Sequence, residues 1–222
     1  MSLPQKGHWF ALNALEITNG ALQPLPKHLE ALTSILKEKS LSYENLSTAR
    51  HGIKNFKGRL EIDAPIERVA HVLFDPETQG RWIGGLMNVS LLEIDSTEHW
   101  ANVPKTFQLY QEFHLPSPIW DRDYVLAGEW SVDFDGDHVR KAVLHLQSIT
   151  REDCPVRDDR VRAALNLQLY TLTPTSGGSA TQVDVEINVD PLGNFPVFFV
   201  NLYGSIWCGK TLAALEKVVL SK

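Results

Sequence analysis

Chemistry in this chain would have to come from a few scattered groups, because no familiar catalytic spacing is present. Eight histidines stand at positions 8, 28, 51, 71, 99, 114, 138 and 145, and none falls at ligand spacing on a helix. There is no HExxH to hold zinc and no GxSxG to expose a serine nucleophile. Neither a P-loop nor GxGxxG is there to cradle phosphates. Cys154 and Cys208 form no CxxC and read as reduced, structural thiols. What remains is Arg122-Asp123-Tyr124 at the start of an apolar run, and His145 with Val143 and Gln147 at alternate positions. Arg122 and Asp123 point to opposite faces of a regular strand, so they do not make an acid–base pair. Arg122 suits a carboxylate or other anionic group of a ligand, or a structural ion pair, the last being the better reading. His145 reads best as a satisfied buried histidine. No metal or cofactor is called for.

These groups need elements to position them, and the most telling element is the last. From Pro191 to Gly209 there is no charged residue, and a helical pattern continues to about Leu220. Asn194 suits its cap and Pro196 its first turn. A helix apolar nearly all round is buried on more than one side. With Asn201, Gly204, Ser205 and Gly209 inside it, it is too polar for a comfortable membrane span. Something must wrap it. On one stripe it carries Phe199, Leu202, Tyr203, Ile206, Lys210 and Ala213.

The wrapping comes from strands. Helical patterns cover Lys27 to Lys39, the stretch opened by Asp63-Ala-Pro-Ile-Glu67, and a short piece from Asp75 that includes Trp82 and ends near Gly84-Gly85. Strands are expected at 43–50, 53–63, 87–95, 97–103, 106–114, 122–134, 138–150, 160–173 and 180–189, with turn signals such as Asp135-Gly136-Asp137 and Ser176-Gly-Gly-Ser179 between them. Thr181, Val183, Val185, Ile187 and Val189 alternate with polar residues, the pattern of a half-buried strand. Short turns between consecutive strands make the sheet antiparallel, and a sheet this wide curves. The fold class is therefore α+β: a curved antiparallel sheet wrapped around a long C-terminal helix. Residues 1–40 form an extension with a short helix, and 41–222 the main domain.

Composition excludes several functions. The chain of 222 residues has 21 basic and 27 acidic side chains, a net charge of −6, with no basic run. Nucleic acid is not an expected partner. The first residues lack the basic-then-apolar layout of a secretory signal, and no long apolar run occurs, so the expected location is cytoplasmic.

Four stretches, in order, resemble the START lipid-transfer domain of the helix-grip superfamily. They are Asp63-Ala-Pro-Ile-Glu-Arg-Val-Ala-His-Val-Leu-Phe-Asp75 followed by Trp82; Pro116-Ser-Pro118 with Asp121-Arg-Asp-Tyr-Val125; Tyr170-Thr-Leu-Thr-Pro174; and Val189-Asp-Pro-Leu-Gly-Asn-Phe-Pro196 with Asn201. The resemblance covers about residues 43–220. It implies a tunnel between sheet and terminal helix that holds one lipid, and binding or transfer with no covalent step. Sterol-carrying members tend to place a buried arginine a few residues after the Arg-Asp pair; here Gly128 stands six residues beyond Arg122. That departure speaks against a sterol.

The expected tunnel wall follows from alternation. Arg122, Tyr124, Leu126, Gly128, Trp130, Val132 and Phe134 share one face, where Gly128 would leave room. Phe113, His145, Trp82 and the helix residues Phe199, Leu202, Tyr203 and Ile206 complete the expected ligand-binding set. The expected function is a soluble carrier of one hydrophobic molecule, with transient membrane contact. The alternative is a polyketide cyclase or aromatase of the same superfamily, using Arg122, Tyr124 and His145 for proton transfer.

Overall fold

The computed structural model describes residues 43–44, 52–94, 99–115, 117 and 119–221. The element order is β1 (Tyr43–Glu44), β2 (Asn55–Ile62), α1 (Ile66–Phe74), α2 (Pro76–Trp82), β3 (Leu86–Ile94), β4 (His99–Trp100), β5 (Val103–Pro104) and β6 (Thr106–Phe113). Then come β7 (Arg122–Asp135), β8 (His138–Ser148), β9 (Val161–Arg162), β10 (Ala164–Thr175), β11 (Ala180–Asp190) and α3 (Val197–Leu220).

The short helices start where prolines and acids allow. Pro65 precedes α1, which has Glu67 in its first turn and turns Ile66, Val69, Ala70, Val72 and Leu73 inward. Asp75 caps α2 by accepting a hydrogen bond from Glu77 N, and Pro76 takes the position where its missing N–H is harmless.

The main sheet runs in the order β1-β2-β11-β10-β8-β7-β6-β3, each neighbour antiparallel, with β9 beside β7. The β7–β9 pairing is parallel and joins Arg122 to Val161 and Asp123 to Arg162. Across β6 and β7 the register sets Phe113 opposite Arg122, Gln111 opposite Tyr124, Leu109 opposite Leu126 and Phe107 opposite Gly128. The inner face carries the core: Phe56 and Ile62, Val183 and Val185, Tyr170 and Leu172, Leu144 and Leu146, Leu126 and Trp130, Phe107 and Leu109. Gly177 and Gly178 have φ of 68° and 94° in the β10–β11 turn, a backbone region that glycine enters without a Cβ penalty.

α3 lies against β2 with Val200, Gly204, Cys208, Thr211, Leu212, Leu215 and Val219 buried. The approach is close because each side offers a glycine. A Cβ on Gly204 would lie 2.3 Å from the Phe56 ring, and one on Gly58 would lie 3.0 Å from Leu212 Cδ1 and 3.2 Å from Cys208 Cβ.

Several expectations change. Of the strand expected at 97–103, the described part from residue 99 is a small hairpin, β4 and β5, turned by Ala101 and Asn102 at positive φ. The stretch 160–173 is two strands, with the chain leaving β7 at Ala163 to join β10's ladder beside β8. α3 begins at Val197 with Pro196 at its cap position and no side-chain cap, so Asn194 does not serve there. The stripe through Phe199, Leu202 and Tyr203 is not the helix's core face, which lies on the opposite side. The expected helix at Lys27 to Lys39 lies outside the described residues, as does most of the strand expected at 43–50.

Candidate functional site

One end of the molecule gathers the end of β6, the start of β7, the end of β11 and the start of α3. Arg122 sits at its centre, 4% exposed. Its Nε donates to the Pro191 carbonyl at 2.6 Å and its Nη2 to the Leu192 carbonyl at 3.3 Å. Its Nη1 donates to the carbonyls of Trp120 and Asp121. The Phe195 ring lies 5.5 Å from the guanidinium carbon, a cation–π distance. Burial lowers the guanidinium pKa, with Tyr124 and Asp121 pulling it back up. Arg122 is thus a tie between the sheet and the turn that leads into α3.

Beside it, Phe113 and Tyr124 meet edge to face at 5.4 Å. Burial pushes the Tyr124 phenol well above its ordinary pKa, and the Tyr203 phenol adds to that push from α3. Partial desolvation raises Tyr203 as well, although 43% of the residue stays exposed. Around these two tyrosines the apolar side chains stay open to water. Trp120, Leu192, Phe198, Phe199, Leu202 and Tyr203 are between 38 and 61% exposed. Phe198 and Phe199 stack on one another at 4.2 Å.

The remaining expected site residues lie elsewhere. Leu126, Trp130 and Trp82 are buried in the packed core, Trp82 against Tyr170 and Trp130 against Trp100. Ile206 is half-buried. The room expected at Gly128 is filled: a Cβ there would lie 2.3 Å from Cζ of Phe107, whose ring occupies the position. His145 is a correction. It pairs with Glu129, while Ala142, Leu144 and Leu146 supply the buried positions of β8, so His145 faces outward. There it borders a shallow concavity of about 180 Å³ with Glu93, Gln108, Glu129 and Gln147. Arg122, Tyr124 and His145 are therefore divided between the two faces of the sheet.

Among the described residues, half of the buried polar ones are amides. Gln111 donates to Gln79 at 2.8 Å, and Gln79 donates onward to the Leu73 and Phe74 carbonyls. Gln168 donates to the Tyr170 hydroxyl at 2.8 Å. Amides neither give nor take protons at ordinary pH, so these contacts hold structure. The charged cluster is on the outer face. Arg162 meets both oxygens of the fully buried Asp123 at 3.1 and 3.0 Å, and Tyr110 contacts both Asp123 and Glu112. Burial, with the hydrogen bond to Asp123, pushes Tyr110 up to about 12. Arg160 joins Glu112 at 2.6 Å and Arg151 joins Glu93 at 2.6 Å, so the 150–163 loop is bound to β3, β6 and β7. Among the described residues, no group of three or more His, Cys, Asp or Glu side chains could hold a metal ion.

Sequence reasoning gave two residues at this end no role. Asn201 Nδ2 donates to the Gly52 carbonyl at 2.8 Å, and its Oδ1 accepts from Lys54 N at 3.0 Å. An amide inside an otherwise apolar helix was the available signal. Phe195 had none beyond its place before Pro196.

Comparison with known proteins agrees with this geometry. The START domain family model matches residues 38–206. START domain-containing protein 10 of Homo sapiens is 24% identical over 169 residues, covering 76% of this chain and 54% of that protein. The Mus musculus counterpart gives the same figures. The chain thus spans about half the length of the curated relatives it matches. Among solved structures, human STARD10 superposes with a TM-score of 0.65 at 20% identity, covering 86% of this chain and 79% of that one. A STAR-related lipid transfer protein fragment from Xanthomonas axonopodis gives 0.66 at 19% identity, covering 82 and 93%. The lipid transfer and protein localization domain of human StarD13 gives 0.62 at 16%, covering 91 and 99%. At these identities the structural likeness speaks for the fold.

Proposed function

The chain belongs to the START domain family, and from that premise we propose that it binds one lipid or other hydrophobic molecule between the sheet and α3 and transfers it. The observation that carries this reading is the open apolar end. Trp120, Leu192, Phe198, Phe199, Leu202 and Tyr203 keep large apolar surfaces in water beside Phe113 and Tyr124. Large apolar side chains left in water together in this way mark a place where something apolar is met. The ligand enters there, and the same rim touches the membrane that gives or receives it. Each buried methylene contributes about 0.8 kcal/mol, so an acyl chain supplies ample driving force without polar recognition.

The division of Arg122, Tyr124 and His145 between two faces supports carriage over proton-transfer chemistry. Arg122, bonded to four backbone carbonyls, is engaged in holding structure.

The test is direct. Purified protein is examined by native mass spectrometry and its extractable lipids are identified. It is then offered fluorescent phospholipid, fatty-acid and sterol probes in donor vesicles. One ligand per chain is expected, with acyl lipids bound more readily than sterols. If nothing co-purifies and no probe binds, the carrier reading falls.

A further inference from the structure

α3 is held unevenly along its length. Its second half sinks Cys208, Thr211, Leu212, Leu215 and Val219 into the core, and Arg68 of α1 holds the Ser221 carbonyl at 2.6 Å just past its end. Its first half buries Val200 and Gly204 and leaves Phe198, Phe199, Leu202 and Tyr203 exposed. There polar contacts add to the packing of Val200 and Gly204. Asn201 clips the helix to Gly52 and Lys54. Arg122 clips the preceding turn through the Pro191 and Leu192 carbonyls, while its other nitrogen grips Trp120 and Asp121.

Arg122 cannot follow the turn if the turn moves. Its backbone is paired on one side with Phe113 of β6 and on the other with Val161 of β9. Hydrogen bonds are lost within about an ångström of stretching, whereas apolar contact fades gradually. Arg122 is thus fixed on a paired strand and bonded to the carbonyls of a turn with an open apolar end. The interior gives a reason for movement there, since the Phe107 ring fills the space beside Gly128.

We propose that Arg122 is the latch that holds residues 191–203 closed over the candidate site. Its release lets that segment swing out while the second half of α3 stays seated, and this admits the ligand. The inference rests on the carrier reading for the last step only. Arg122 is a positioning residue here and need not touch the ligand.

The experiment compares the full chain with R122M and R122K. Backbone hydrogen exchange is read separately over 192–203 and 211–219, beside thermal melting. Loading is timed with a fluorescent phosphatidylcholine offered in phosphatidylcholine vesicles. Losing a buried charge-assisted tie is expected to speed exchange over 192–203 by about tenfold or more in R122M. Exchange over 211–219 should hold, and loading should quicken by a comparable factor. R122K, with a point donor in place of the planar fork, should fall between. Exchange that is unchanged over 192–203, or that rises equally through 211–219, overturns the latch. So does loading that stays constant while the segment loosens. If R122M does not fold, R122K decides by the same contrast. If no probe loads into any of the proteins, the carrier reading fails, and the exchange contrast alone decides whether Arg122 holds the segment.

Discussion

The ring of Phe107 stands where a side chain at Gly128 would have to go. A methyl built on Gly128 would lie 2.3 Å from Cζ and within 2.7 Å of two further ring atoms. G128A should therefore destabilise by about 1–3 kcal/mol through overpacking. F107L should relieve part of that cost, so the two substitutions should couple in a thermal or urea double-mutant cycle. Simple additivity would mean that the ring is not what Gly128 accommodates.

The fully buried Asp123 depends on Arg162 and Tyr110. R162M leaves that carboxylate without its charged partner, and the expected loss is about 3 kcal/mol or more. Denaturant unfolding measures it. A loss comparable to that of an exposed pair, below about 1 kcal/mol, would contradict this placement.

Alkaline pH should unfold this protein early. Cys208 is raised by burial from 9.0 to about 12, and Tyr124 and Tyr170 are raised above 10.0 by burial as well. In each case the folded state keeps its proton where the unfolded chain has lost it. The stabilisation is complete below pH 9 and is lost as pH rises toward 12. Each fully buried group removes up to about 1.4 kcal/mol per pH unit inside that window. Melting temperatures should be level from pH 7 to 9 and fall with increasing slope above 10. A level curve to pH 11 would refute the burial of these groups.

F198E tests the open end without disturbing the fold. Phe198 is 61% exposed and lies in the first turn of α3, where a carboxylate meets the positive end of the helix. Stability should be unchanged within about 0.5 kcal/mol or slightly raised. Vesicle-to-vesicle lipid transfer, in contrast, should drop several-fold. Unaltered transfer would remove Phe198 from the membrane-contacting rim.

The sheet was largely legible in the chain because alternation and turn residues agree, as along Thr181 to Val189 and at Ser176-Gly-Gly. The working face of α3 was not. From Val197 to Gly209 nearly every side chain is apolar, so no stripe stands out by hydropathy. The choice is made by size, with Gly204 seated on Phe56 and Gly58 making way for Leu212 and Cys208. His145 went to the wrong face because Val143, His145 and Gln147 mix apolar and polar, and their burial depended on a register that one strand does not reveal. Arg122 was legible as a polar group at a strand start. Its distant partners were not, being backbone carbonyls 69 and 70 residues away that carry no side-chain signature.

β2 has consequences for how the chain is born. It pairs with β11 and supports α3, and its Arg59 reaches Asp184 across 125 positions of sequence. At synthesis rates of about 5–20 residues per second, β2 leaves the ribosome roughly 10 seconds before its neighbour exists. During that delay Phe56, Leu60 and Ile62 have no native surface to meet, and early pairing with another chain is the competing reaction. Slow, late closure follows from such distant contacts. Nascent chains stalled before residue 180 should accordingly be the species that chaperones hold.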